Sequence, residues 1–216
     1  MEHNPFAASY KTLPENLPIF PLEGVLLMPF GRLPLNIFEP RYMQMVEDAL
    51  KGDRLIGMIQ PKNKDELYNV GCVGKIVEFS ETEDGRYLIT LQGLSRFAVG
   101  SELQVETPYR QVRADWSGYK SDIERQKCLG VDRERLCGLL SAYFEKEDMS
   151  CDFTKFDDAA DGKLITCLAM VCPFEPAEKQ ALLEKNCCVE RAQLFMDMLE
   201  IAVRSGSNSQ IDAKPH

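Results

Sequence analysis

Residues 17–42 read LPIFPLEGVLLMPFGRLPLNIFEPRY, two short apolar runs interrupted by prolines at positions 18, 21, 29 and 34. Proline has no amide hydrogen and a fixed φ. Such a density excludes a helix and excludes a central strand with full ladders on both edges. What it permits is short edge strands linked by fixed turns, the way a small irregular barrel begins. Residues 17–21 and 33–38 are read as the first two strands. Pro40 sits where a first helical turn tolerates it, with Glu39 as the helix-start residue. Tyr42, Met45, Val46, Ala49 and Leu50 then recur at spacings of three and four, which predicts an amphipathic helix over residues 40–51 with Gly52 as its stop signal.

Beyond this helix the pattern is mostly strand. Residues 54–60 form a short apolar run, and residues 61–66 a charged loop. Residues 68–83 alternate weakly, with Gly71 and Gly74 marking bulges or a bend. Asp84-Gly85 stands between GKIVEFSETE and RYLITLQG and accepts the positive φ angles of a tight primed hairpin turn. Residues 94–103 and 109–116 add two more strands. A segment of strands with one helix implies a small β-barrel or pseudo-barrel over residues 17–116.

The period changes near Ser117. Leu129, Leu136, Leu139, Leu140, Tyr143 and Phe144 give a helical stripe within residues 122–147, where Gly130 and Gly138 each cost about 1 kcal/mol relative to alanine. Residues 158–171, 176–185 and 189–204 continue as three further helices. The expected architecture is α+β, a pseudo-barrel followed by a four-helix carboxy-terminal bundle over residues 117–204. Residues 1–16 are read as a flexible arm and residues 205–216 as a tail.

The net charge is −9, with 12 basic against 16 acidic residues up to Trp116 and 13 against 18 after it. Acidity this even disfavours nucleic acid as a partner, because phosphate neutralisation needs clustered Lys and Arg. No apolar run approaches the roughly 20 residues of a membrane span, and the first residues lack the pattern of a signal peptide. A cytoplasmic location is expected. In a reducing compartment the eight cysteines are mostly small buried apolar residues. No CxxC pair exists, and the two histidines are His3 and His216, so neither a metal site nor a cofactor is expected.

The run LPIFPLEGVLLMP, then LPLNIFEPRY, GDRLIGMIQP, VGCVGKIVEF, GRYLITLQGLSRF and PYRQVRADW, resembles the amino-terminal, substrate-binding domain of Lon proteases. CPFEPAEKQALLE resembles the helical end of the same family, so the resemblance spans roughly residues 17–204. Its most specific part is IFEPRY followed by Gly71, Gly74 and Ile76 as GxxGxI. The resemblance implies a PUA-like β pseudo-barrel with a helical bundle after it. It also implies binding of unfolded or tagged polypeptides, or of a protease or chaperone partner, in protein quality control. The rest of that machinery is not legible. A phosphate-binding loop needs GxxxxGK[ST], but Gly74-Lys75 continues as Ile76 and Gly162-Lys163 as Leu164. No Ser/Lys peptidase pair is visible, so no catalytic residue is assigned. The competing readings are a PUA-like nucleic-acid-binding module and a small-molecule-binding regulatory module.

Within the motifs, Met28, Pro29 and Phe30 form either an exposed apolar patch, with Arg32 at its edge, or a loop whose Phe30 plugs the open end of the barrel. Met28, Phe30 and Arg32 are therefore the candidate polypeptide- or partner-binding residues. Glu39, Pro40, Arg41 and Tyr42 are read as structural, with Arg41 tying the helix to a barrel loop through its fork of donors. Gly71, Gly74, Gly93 and Arg96 are also read as structural, Arg96 as a hydrogen-bonding residue at the buried rim. The acidic run at residues 156–161 lacks the alternating ligands of a calcium loop and is read as helix capping. The purified chain is expected neither to hydrolyse ATP nor to degrade casein. Turnover that survives further purification and co-elutes with this polypeptide would refute that expectation.

Overall fold

The proline-rich start resolves itself by a change of partner. The computed structural model describes residues 13–123, 130–148 and 160–207. In it, strand β1 (Asn16–Pro21) pairs antiparallel with β6 (Gln111–Asp115) over Asn16–Pro18, then parallel with β3 (Leu55–Ile59) over Ile19–Pro21. β1 is thus an interior strand and not the expected edge strand. The proline constraint still holds, because each residue of β1 is in register with only one neighbour. β2 (Arg32–Ile37) is a true edge strand and carries Pro34 there, paired only with β5 (Tyr87–Glu102). The sheet order is β2-β5-β4-β3-β1-β6, with β4 at Val70–Glu81, and β6 also pairs with β5. Five strands therefore close on themselves and β2 extends the sheet from β5.

β5 joins two segments that sequence periodicity separates. One of its edges pairs with β4 from Ala98 back to Tyr87, and bulges after Val73 and after Ile76 bend the pair without breaking it. Its other edge pairs with β2 over Tyr87–Gln92 and with β6 over Ala98–Glu102. The β4–β5 turn also differs from expectation. Gly85 has φ of 80°, whereas Asp84 has no positive φ, so this is not a turn with both central residues left-handed. Gly85 N donates to the Thr82 carbonyl, and the Asp84 carboxylate accepts from the Thr82 hydroxyl and from Arg86 Nε. Those side-chain bonds hold a three-residue loop with one left-handed glycine.

The barrel core gathers Leu17, Ile19, Ile59, Val73, Phe97 and Trp116, among others. The Phe97 ring abuts Gly71, where a Cβ would come 2.6 Å from both Phe97 Cζ and the Met58 carbonyl oxygen. Helix α1 (Pro40–Lys51) buries Tyr42, Met45, Val46 and Ala49, as its spacing predicts. Tyr42 packs against Phe20 with the rings tilted by 40° and their centroids 4.2 Å apart. Two phenols fasten α1, one from β5 and one from the loop before β6: Tyr87 donates to Glu47 (2.9 Å) and Tyr109 to Asp48 (3.0 Å).

The described residues form two compact units, and the division is not linear in sequence. Residues 13–123 group with residues 170–184, while residues 130–148 group with 160–169 and 185–207. Helix α4 (Pro176–Glu184) therefore leaves the expected four-helix bundle and belongs with the strands. Gln60 Nε2 donates to the Pro176 carbonyl (2.9 Å), Gln180 Nε2 to the Val70 carbonyl (3.0 Å) and Lys179 Nζ to the Gly24 carbonyl (2.8 Å).

The second unit contains α2 (Arg133–Lys146), α5 (Cys188–Ser207) and most of α3 (Asp161–Val171). α2 begins later than its stripe implies. Asp132 caps it by accepting from Arg135 N, and Gly130 precedes it at φ of 91°. Asp122 belongs instead to a 3-10 helix, Ser117–Asp122. Leu129 and most of the acidic run at 156–161 lie outside the described residues, as do the arm and the end of the tail. Cys72, Cys137, Cys167, Cys172 and Cys187 are not in disulfides, whereas Cys188 is disulfide-bonded, against the expectation for that residue.

Tyr109 provides a pH test of how α1 is fastened. Its burial, and then the Asp48 carboxylate beside it, push the phenol from 10.0 up to about 12. The folded value lies above the unfolded one, so this stabilisation is complete below pH 10 and is lost as the pH rises toward 12. At about 1.36 kcal/mol per pKa unit the loss is at most about 2.7 kcal/mol. Tyr109→Phe is expected to be less stable than the parent at pH 8, with the gap in melting temperature narrowing between pH 10 and 12. A constant gap across that range would contradict the assignment.

Candidate functional site

The loop between β1 and β2 brings the candidate binding residues into different environments. Met28 is fully buried, so it belongs to the core and not to a binding surface. Its carbonyl accepts from Gly31 N (2.9 Å) and presses against Gly93, where a Cβ would stand 2.0 Å from that oxygen. Only a residue without a side chain lets the loop come this close. Phe30 N donates to the Gly93 carbonyl and Gly93 N to the Gly31 carbonyl, both at 2.9 Å. These bonds hold Phe30 at φ of 66°, a left-handed conformation rarely taken by bulky residues. Its side chain faces solvent, at 47% exposure, and does not plug the barrel.

Arg32 is also exposed and bonds Glu78 at 2.6 Å across the sheet; Glu78 in turn accepts from Thr90 at 2.6 Å. Of the three candidates, then, Phe30 and Arg32 reach the surface. Arg41 does not tie α1 to a barrel loop. Its fork closes on the neighbouring Glu39 at 2.7 and 2.9 Å, and its guanidinium lies 4.6 Å over the Tyr42 ring. Its ion-pair partner is thus two residues away, at the start of the same helix. Glu39 starts the helix through its backbone and makes no side-chain cap. Gly74 lies under Leu27 and Leu91, with its Cβ position 2.7 Å from Leu27 Cδ2.

Arg96 is buried, at 2% exposure, and organises the strand gap on β5. Its Nε and one terminal nitrogen grip the two Asp122 oxygens at 2.8 Å each, while Arg96 N donates to Asp122 Oδ2 at 3.0 Å. The other terminal nitrogen donates to the Leu183 carbonyl at 3.1 Å, in the last turn of α4. The Tyr119 ring stacks 4.7 Å from the guanidinium carbon. Burial alone would lower the Arg96 pKa; the Asp122 hydrogen bonds and charge more than offset it and the net shift is upward. Sequence reasoning found Arg96 but missed Asp122, Gln60, Lys179 and Gln180. No local pattern marks a polar residue whose partner lies 26 positions away, as for Asp122, or more than a hundred, as for the other three.

An open cleft of about 380 Å³ lies between the loop at residues 62–69 and strands β5 and β6. Most of its charged groups have partners within the protein. Arg110 forks onto Glu102 at 2.6 and 2.7 Å, and Lys62 stands over the Tyr68 ring.

The family profile described as the ATP-dependent protease La (LON) substrate-binding domain matches residues 16–200. The chain belongs to this family. Among full-length relatives, the Lon protease of Dictyoglomus thermophilum is 35% identical over 212 residues, covering 88% of this chain and 26% of that protein. Lon protease 2 of Myxococcus xanthus is 28% identical over 196 residues, covering 87% of this chain and 24% of that protein. The chain thus spans about a quarter of the length of these Lon proteases. The crystal structure of a Lon N-terminal domain protein from Xanthomonas campestris superposes with a TM-score of 0.61 at 21% identity, over 84% of this chain and 97% of the other. The N-terminal domain of a Mycobacterium avium complex Lon protease gives 0.58 at 15% identity, over 86% and 98%. At these identities the structural likeness establishes the Lon N-terminal fold, in agreement with the α+β reading. Among the described residues, no helix is long and apolar enough to cross a membrane.

In this Lon-family domain the Arg96–Asp122 pair is expected to be a stability determinant. Removing one partner of a buried ion pair leaves the other charge unmet, at about 3–5 kcal/mol. Asp122→Ala should therefore lower the melting temperature by roughly 6–20 °C, at about 2–4 °C per kcal/mol for a chain of this size. An unchanged melting temperature would show that the pair does not hold α4 and the 3-10 helix to β5.

Proposed function

We propose that this chain binds unfolded or tagged polypeptide segments, in protein quality control, and itself catalyses no reaction. The family it belongs to is described as a substrate-binding domain, and that kinship supports polypeptide as the ligand class. The observation that carries the reading to a residue is Phe30. An aromatic side chain half in water, on a backbone that glycine would adopt without strain, is costly to folding on both counts. Such strain concentrates at functional positions. The even acidity of the chain supports polypeptide over nucleic acid. A protease or chaperone receiving the bound segment is the partner class this role requires.

Phe30→Ala is the direct test. Burying one phenylalanine against a ligand contributes about 1.5–3 kcal/mol, so affinity for an unfolded model polypeptide should weaken about ten-fold or more. The melting temperature should hardly move, because the side chain is exposed in the free protein. Phe30→Gly should weaken binding equally and raise stability slightly by releasing the left-handed strain. Unchanged affinity in both variants, measured by fluorescence anisotropy, would remove this loop from the binding surface.

A further inference from the structure

The β4–β5 hairpin runs beyond the barrel and leaves a strand edge open. β3 pairs with β4 only from Cys72 to Lys75, and Ile76 N makes the last bond toward that side, to the Arg54 carbonyl at 2.8 Å. From Val77 to Glu81 all five residues are exposed, and among the described residues no strand pairs with their outer edge. Thr82 N donates to the Arg86 carbonyl at the turn. Antiparallel alternation from that bond turns the N–H and C=O of Ser80 toward β5 and those of Phe79 and Glu81 outward. An outward row of alternating donors and acceptors is matched by an extended backbone and by neither a helix nor a small molecule. The sheet's other free edge, on β2, carries Pro34, which offers no donor.

Side chains along this edge narrow the choice of strand. Phe79 is 44% exposed and packs its ring edge against Tyr87 at 5.1 Å; Val77 and Leu88 are exposed nearby on the hairpin. Glu78 is paired with Arg32 and Asp84 with Arg86, whereas Glu81 and Glu83 have no ion-pair partner among the described residues. The edge thus offers apolar surface and unpaired negative charge together.

We propose that the outer edge of β4 from Val77 to Glu81 docks, as an additional strand, an extended polypeptide segment that carries an apolar and a basic residue two positions apart, on the face shared by Phe79 and Glu81. The inference rests on the polypeptide-binding reading and names the kind of segment bound. Five residues span about 17 Å, the length of an ordinary strand. Backbone bonds supply sequence-tolerant affinity, while Phe79 and the free carboxylates select side chains.

The test uses the 216-residue chain and ten-residue synthetic peptides whose alternate positions are valine and lysine in turn, separated by serines, with glutamate in place of lysine as the control. The lysine peptide should bind at least ten-fold more tightly at low salt. Glu81→Lys with Glu83→Lys should abolish that preference, and N-methylation of alternate peptide amides should abolish binding in one of the two possible registers. Hydrogen exchange should slow at Phe79 and Glu81 when the lysine peptide is bound. Undiminished affinity of both N-methylated registers, or protection confined to other segments, would overturn the proposal. So would concentration-dependent dimerisation that protects residues 77–81 without peptide, since a second copy would then be the occupant. If unfolded casein binds the β4 variant normally but not Phe30→Ala, the edge fails and the wider reading stands. If neither casein nor peptide binds the parent chain, both fail.

Discussion

One buried guanidinium, that of Arg96, holds together parts of the chain that no local signal connects. β5 changes partner along one edge, from β2 to β6, and the change leaves residues 93–97 without a strand on that side. An unpaired backbone amide at such a gap would cost about 1–3 kcal/mol. Asp122 accepts from Arg96 N with one oxygen and from the guanidinium with both, so a single carboxylate meets the strand gap and the buried charge. The remaining donor reaches Leu183, where the last turn of α4 leaves carbonyls without helical partners. A substitution at Arg96 would therefore be felt in a strand, a 3-10 helix and an α-helix at once.

The neighbouring residue pair Met28 and Gly93 sets the shape of the loop. Since the Met28 carbonyl occupies the place of a β-carbon at Gly93, the chain from β1 to β2 must descend onto β5 there. Met28 then points inward, and the next left-handed residue, Phe30, points out. The glycine on one strand decides which of two apolar residues on another segment is core and which is surface. Sequence pattern alone could not make that choice, because Met28 and Phe30 look equivalent as members of one apolar run.

Legibility followed the range of the interaction. Helix α1 was readable because its cause is local, a proline at its first turn and an apolar face at helical spacing. The prolines of β1 and β2 correctly limited their ladders, but where β1 lies in the sheet depends on residues some forty and ninety positions away. By sequence β5 reads as two strands with Gly93 between them, while the pairing with β4 carries it through. α4 groups with the strands and not with the other helices, and nothing local in its sequence signals that its polar Lys179 and Gln180 are buried. Their partners are backbone carbonyls of Gly24 and Val70, which carry no sequence signature at all.

These long-range bonds fall on one side of a division in the first unit. Around Arg96, Gln60 and Gln180, every buried polar side chain among the described residues has a partner, which gives a rigid closed set of strands. Phe30 and the distal edge of β4 keep what that set uses up elsewhere, an apolar ring in water in one case and open backbone valences in the other. Exposure at those two places can persist because the strained loop is pinned by bonds to Gly93, and the open edge is continuous with a strand paired along its whole length to β5. A recognition surface for unfolded chains needs that combination: groups that want a partner, on a support that does not rearrange to satisfy them. In the proposed role, the specificity of the scaffold's internal pairing is what allows its binding to be tolerant of sequence.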